Sequence, residues 1–138
     1  MNIASALLKQ IIVQNDLDTW SNLKEHYLPG DFQPIFKILD KHIEQYQDLP
    51  QFEDLRYEVR DRKLQEKIFA IESIEVEVDA WLLLDYLKNE YAQVEILDQL
   101  DKYIDNTVAM ATAEENIEQL QEIVLKVSEQ VDVKPPAE

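Results

Sequence analysis

Cysteine is absent from this chain, and glycine occurs once in its 138 residues, at Gly30. Without cysteine the chain forms no disulfide, no thiolate metal site and no cysteine nucleophile. Loops that cradle phosphate, such as GxGxxG and GxxxxGK(S/T), need at least two glycines close together. The sequence therefore excludes a nucleotide site of that kind, and any nucleotide-driven work must depend on another domain or another protein.

Long apolar runs and an excess of basic residues are missing as well. The longest apolar run is Ala80–Leu84, far shorter than the ~20 residues of a membrane-spanning helix, and no secretory signal precedes it. The 13 basic residues face 29 acidic ones, a net charge of −16, and this charge repels nucleic-acid phosphates and anionic membranes. We predict an acidic, cytoplasmic protein that binds neither of these partners tightly.

Apolar residues recur at helical spacing along nearly the whole chain. We predict an all-α fold, with a bundle of five short helices over residues 1–78, an antiparallel two-helix hairpin over residues 79–131 and an extended tail over residues 132–138. Asp31 is expected to cap the helix that carries Pro34 in its first turn.

The segment Ile74–Asp79 alternates apolar and acidic residues. Such alternation is typical of a strand, but no partner strand is visible elsewhere in the sequence, and a lone strand is unstable. We therefore predict an extended connector, with Asp79 capping the helix that follows.

The two hairpin helices carry apolar stripes that are predicted to pack against each other. The second helix begins at the capping-box signature Thr112–Glu115, and its stripe repeats every 3.5 residues. The stripe of the first helix is Leu83, Leu87, Tyr91, Val94, Leu97, Leu100 and Ile104, and that of the second is Ile117, Leu120, Val124, Val127 and Val131. Five apolar residues fall off these stripes and need cover from the small bundle or from a second molecule, so they form the predicted protein interface: Leu82, Tyr86, Ile96, Ile123 and Leu125.

The titratable residues show no pattern of a catalytic or metal site. A helical di-metal site uses Glu-x-x-His, but leucine stands three residues before both His26 and His42, the only histidines. Paired carboxylates such as Glu114 and Glu115 suit the first turn of a helix, where negative charge is favourable. We predict no catalytic residue, no metal and no cofactor, and hence a chain that is not an enzyme.

Two further features each allow two interpretations. Trp20 and Trp81 lie at helical spacing beside leucines, which favours core packing, although tryptophan also anchors partners. The basic residues Arg56, Arg60, Arg62 and Lys63 alternate with acidic ones. This mixture predicts a salt-bridged, solvated face rather than a nucleic-acid site.

The layout resembles the N-terminal domain of DnaB-family replicative helicases, in particular the phage type. The likeness covers about residues 3–131 and is carried by the following: Trp20, Gly30-Asp31-Phe32, Ile35-Phe36, the helix Phe36–Tyr46, Leu49-Pro50 and the junction Asp79-Ala80-Trp81-Leu82-Leu83. In that family a small helical bundle and a helical hairpin lead through a linker into an ATPase domain.

The resemblance implies a non-catalytic module that forms the collar of a helicase ring, docks primase and pairs its hairpin with that of a neighbour. The alternative is a stand-alone acidic adaptor, of phage or plasmid type, that binds helicase or primase. A third possibility is a subunit of an unrelated helical enzyme. A reading frame that continues past Glu138 into a phosphate-binding loop would favour the helicase over the adaptor.

Charge and glycine content together generate the first prediction. We expect the purified chain to hydrolyse no ATP and to bind duplex DNA weakly at ~150 mM salt, because it lacks a phosphate loop and repels the DNA backbone. Fluorescence anisotropy with a labelled duplex measures the binding. Tight binding with a steep salt dependence would contradict the charge argument.

Overall fold

In the computed structural model, which describes residues 2–106 and 110–131, the chain forms seven α-helices and no β-strand over those residues. The all-α prediction is confirmed. The tail predicted over residues 132–138 lies outside the described residues. The helices are α1 (Ile3–Gln14), α2 (Leu17–Asn22), α3 (Gln33–Tyr46), α4 (Phe52–Glu58), α5 (Arg62–Glu72), α6 (Ala80–Asn106) and α7 (Ala113–Val131), with 3₁₀ turns at Glu25–Tyr27 and Gly30–Phe32.

The chain divides into two compact units, residues 1–87 (unit 1) and residues 88–138 (unit 2). The division falls inside α6, just after the buried Leu87. The domain boundaries predicted after residues 78 and 131 stay predictions. Among the described helices, none combines the length and the apolar content that crossing a bilayer requires.

The core of unit 1 is built around α1. This helix is apolar on nearly all sides, and a helix of that kind is stable only when other elements surround it. Its side chains Leu7, Leu8 and Ile11 are completely buried. α1 contacts α2 and α5, and α5 also contacts α3 and α4, so α5 joins the remaining helices of the unit to the central one.

Short polar side chains begin and end the first helices. The Asn2 side chain accepts a hydrogen bond from the Ser5 backbone N–H at 3.1 Å, and α1 ends at Asn15 in the left-handed conformation, with φ 51°. The Asp16 side chain then accepts bonds from the Thr19 backbone N–H at 3.0 Å and from its hydroxyl at 2.6 Å. These bonds satisfy amide groups that a helix leaves without intrahelical partners.

Asp31 does not cap α3, contrary to the sequence prediction. Phe32 occupies the N-cap position and makes no side-chain cap bond, although Pro34 lies in the first turn as expected. The Asp31 carboxylate instead accepts a hydrogen bond from Lys67 of α5, and this bond lowers the pKa of Asp31 below its usual value. The Lys67 ammonium also lies 4.0 Å from the centre of the Phe32 ring, a cation–π arrangement.

The two tryptophans have different surroundings. Trp20 is buried and stacks on Phe36 of α3 with ring centres 4.6 Å apart, as its helical spacing predicted. Trp81 is 59% exposed, so the core packing predicted for it is wrong. The leucines beside Trp81 in the sequence take the inward positions, and Leu83 and Leu84 are both buried.

The predicted extended connector is confirmed between α5 and α6. Ile74, Val76 and Val78 are half-buried, while the acidic residues between them are exposed. The connector is held from inside the unit by Gln10, a buried residue of α1. Its side-chain amide donates to the Val78 carbonyl at 2.8 Å and to the Val76 carbonyl at 3.3 Å. One buried side chain thus satisfies two backbone acceptors that have no helix or sheet to bond them.

The second prediction concerns this side chain. Gln10→Leu keeps a similar volume but leaves the two carbonyls without their donor, so we expect the free energy of unfolding to fall by about 1–3 kcal/mol. Gln14→Leu is the matched control, because Gln14 lies on the same helix and is exposed. Urea denaturation followed by circular dichroism compares them. Equal stabilities for the two variants would show that the connector does not depend on Gln10.

Candidate assembly surface

Unit 2 has almost no core of its own. Among its described side chains, residues 88–105 and 110–130, only Tyr103 and Val127 are buried. Both α6 and α7 nevertheless carry an apolar residue at every third or fourth position. Most of the aliphatic surface of this unit is therefore left in contact with water, at a cost of roughly 25 cal/mol per Å².

An aliphatic groove runs between the two helices of unit 2. It encloses about 190 Å³, and every side chain in its wall is aliphatic. A hydrogen bond also joins the two helices: the Tyr103 hydroxyl of α6 donates to the Asn116 side-chain oxygen of α7. The groove residues are Ile96 and Leu100 of α6 with Leu120, Ile123, Val124 and Val127 of α7.

Three exposed apolar residues of α6 do not line the groove, and we call them the outer face of this helix: Val94, Leu97 and Ile104. All three are exposed, and Leu97 is 63% exposed. They belong to the stripe that was predicted to pack on α7. The stripe takes three consecutive steps of three residues between Tyr91 and Leu100, and each step falls about 60° short of a full turn. The stripe therefore drifts around the helix, and the groove side passes to residues such as Ile96.

The predicted stripe of α7 is partly buried. Val127 is buried, and Leu120 and Val124 line the groove. Ile117 is 58% exposed, so it does not pack on α6 as predicted. The side chain of Val131 lies outside the described part of the chain. The helix begins where the capping-box signature predicted, and the Glu115 backbone N–H donates to the Thr112 hydroxyl at 3.2 Å.

The five predicted interface residues do not form one patch. Leu82 is half-buried and Tyr86 is exposed, and both belong to unit 1. Ile96 of α6 and Ile123 of α7 both line the groove. Leu125 is 51% exposed and is not among the groove residues. Their role as an interface stays a prediction. Sequence analysis missed the outer face of α6, and the run of three-residue steps was the signal that could have revealed it.

Acidic residues outnumber basic ones in unit 2. Residues 88–131 contain three basic and ten acidic side chains, a net charge of −7. Partial burial raises the pKa of Tyr91 above its usual value, and the charge of Glu95, one turn further along α6, adds to this effect. A partner that binds unit 2 must therefore bury its aliphatic side chains and tolerate its negative charge.

None of the titratable groups singled out from sequence lines the aliphatic groove of unit 2. His42 Nδ1 lies 2.8 Å from the Glu58 carboxylate of α4, and the His26 ring meets the edge of Tyr27 with ring centres 4.8 Å apart. Glu114 and Glu115 are exposed in the first turn of α7. Unit 2 offers an aliphatic surface for binding.

Comparison of the chain with protein-family models, with curated proteins and with solved structures gave no match.

The third prediction separates groove residues from outer residues. Ile123→Glu places a charge in the groove beside the buried Val127, and we expect it to lower the free energy of unfolding by about 2–4 kcal/mol. Leu125→Glu adds the same charge to the same helix at an exposed position, and we expect a change of about 0.5 kcal/mol or less.

Both variants are measured by urea denaturation at ~1 μM, where association contributes little. Equal losses would show that Leu125 packs against the chain as firmly as Ile123 does. If neither variant changed stability, the groove would not be a packed feature of the single chain.

Proposed function

We propose that the chain is a non-catalytic assembly and docking module of a replicative DNA helicase, in which unit 2 pairs with unit 2 of a second copy. In this proposal the paired modules form the collar of the helicase ring and dock primase. The proposal draws on the resemblance described under Sequence analysis. The structural observation that carries it is the apolar surface of unit 2: among its described side chains only Tyr103 and Val127 are buried, and residues such as Leu97 are exposed.

The proposal includes a finer description of the fold. Helices α1–α5 act as one bundle, and α6 and α7 act as an antiparallel hairpin. The shared groove and the hydrogen bond between Tyr103 and Asn116 support the hairpin, because they join two helices that are adjacent in the chain. Such a hairpin presents one aliphatic side to a partner, and a second hairpin has the matching side.

Pairing of two identical surfaces gives a twofold interface, in which each contact occurs twice. Covering an aliphatic side chain of the size of Leu97 contributes about 1.5–3 kcal/mol. The three exposed residues of α6, counted on both copies, therefore contribute on the order of 10 kcal/mol, which lies within the range of ~4–15 kcal/mol that association costs. The groove residues supply the surplus. The charge of −8 on each unit 2, from four basic and twelve acidic side chains in residues 88–138, opposes pairing, so added salt strengthens it.

Primase docking is assigned to a different part of the chain. Trp81 is 59% exposed at the start of α6, and exposed tryptophan is enriched at the centres of protein interfaces. It remains available when the outer face of the later part of α6 is covered, because Leu97 is sixteen residues further along the helix. The partner interaction is thus proposed to depend on Trp81 and the self-association on Leu97.

The fourth prediction tests the self-association. Leu97→Glu places an unpaired charge in the paired surface of both copies, so we expect the dimer dissociation constant to rise at least about a hundredfold. Lys102→Gln is the matched control: it changes the net charge by the same amount on the same helix, about 140° away from Leu97 around the helix axis.

Sedimentation velocity at ~0.5 M salt, where the repulsion between acidic units is screened, measures the mass of each protein. We expect dimers or larger species for the wild type and for Lys102→Gln, and monomers for Leu97→Glu. A wild type that is monomeric at ~100 μM would refute self-association through unit 2, and the docking adaptor would be the remaining function.

A further inference from the structure

Unit 1 contains the one stretch of the sequence in which basic residues outnumber acidic ones appreciably. Residues 56–67 carry five basic side chains, including all three arginines of the chain, against three acidic ones. Their net charge is +2, whereas the remaining residues carry −18. A second copy of this chain therefore meets an excess of opposite charge at this stretch, while it is repelled elsewhere.

The same stretch borders an open groove between α4 and α5. The groove encloses about 530 Å³, and its walls include the apolar residues Leu55, Ile68 and Phe69. Two arginines and two glutamates also line it, in the ion pairs Arg56–Glu72 and Arg62–Glu66. Leu55 and Ile68 are buried, but Phe69 is 67% exposed. An exposed aromatic ring beside arginines has the composition of a binding hot spot.

The arginines of the groove are held only by exposed ion pairs. Arg62 lies 3.5 Å from Glu66, and its side chain is 90% exposed. Arg56 pairs with Glu72, and its side chain is also largely exposed. Ion pairs at exposed positions contribute little to stability, so both guanidinium groups can also bind the carboxylates of a docking helix, beside Glu66 and the half-buried Glu72 that line the same groove.

Helix α7 carries a face that matches the groove. Ile117, Gln121 and Leu125 follow one another at four-residue spacing, and Ile117 and Leu125 are exposed. Glu114, Glu118 and Glu122 form an adjacent row at the same spacing, also exposed. From Ile117 to Leu125 the helix advances about 12 Å, close to the advance of about 10 Å from Arg62 to Phe69 along α5. The aliphatic row fits the apolar wall, and the acidic row meets the arginines.

We propose that the groove between α4 and α5 receives this outer face of α7 from a second copy of the chain. The contact joins two different surfaces, so it is head-to-tail and generates rings or open chains rather than closed pairs. It uses unit 1 of one copy and the side of α7 that carries Leu125, and it does not depend on pairing between units 2. Added salt weakens this contact, whereas it strengthens the pairing of units 2.

The test uses the full chain carrying Leu97→Glu, which removes pairing between units 2, at ~20 mM salt, where charge attraction is strongest. Two charge reversals are compared with this parent protein, Arg56→Glu/Arg62→Glu in the groove and Glu118→Lys/Glu122→Lys on α7. Sedimentation velocity gives the association constants, and circular dichroism confirms that each variant is folded.

We expect the parent protein to self-associate and each reversal to weaken association at least about tenfold. An equimolar mixture of the two reversed proteins restores association, because the acidic groove of one accepts the basic helix of the other. Phe69→Ala weakens association without any change of charge, and Tyr57→Ala, an exposed aromatic residue of α4 outside the groove, does not.

Three results would overturn the proposal. The first is a parent protein that is monomeric at every concentration, a result also expected if α7 docked in the groove of its own chain. Alternatively, both reversed proteins and Phe69→Ala would associate as the parent does, or the mixture would fail to restore association. None of these results tests the pairing of units 2, which is tested separately by comparing wild type with Leu97→Glu at high salt.

Discussion

Two helices packed side by side can bury only the stripe that each turns towards the other, and this limit governs unit 2. α1 of unit 1 escapes the limit because other helices contact it on several sides, and its leucines are completely buried. In unit 2 only Tyr103 and Val127 are buried among the described side chains. Some aliphatic residues that remain exposed there, such as Leu97, do not line the groove between the helices, and these are the residues to which the proposed pairing gives a role.

Electrostatic repulsion opposes the association of two copies of the chain. The chain carries −16, and like charges resist pairing most where the surfaces come closest. In the proposed pairing of units 2, burial of apolar surface opposes this repulsion, while the proposed contact at residues 56–67 uses attraction. The two proposed contacts respond to ionic strength in opposite directions, so a salt titration distinguishes them.

The sequence predicted helices and the connector well, but it predicted poorly which residues from different helices contact each other. Helix positions followed from apolar spacing, and the connector followed from the missing partner strand. The pairing of Asp31 with Lys67 could not be predicted, because it joins residues that are 36 apart in the chain. Leu97 was predicted to pack on α7 and Ile96 to lie off the stripe, but Ile96 lines the groove and Leu97 does not. A stripe that drifts around a helix does not show which of its residues face the adjacent helix. Trp81 was misplaced for the same reason.

The bonds of Gln10 define what the connector Ile74–Asp79 can tolerate over evolutionary time. Gln10 bonds backbone carbonyls, which every residue possesses, so exchanges at the exposed Glu75 and Glu77 leave the attachment intact. Insertion or deletion of a single residue is different, because it shifts the alternation by one position and turns acidic side chains inward. We therefore expect a change in the length of this segment to destabilise the chain more than substitution of its exposed side chains.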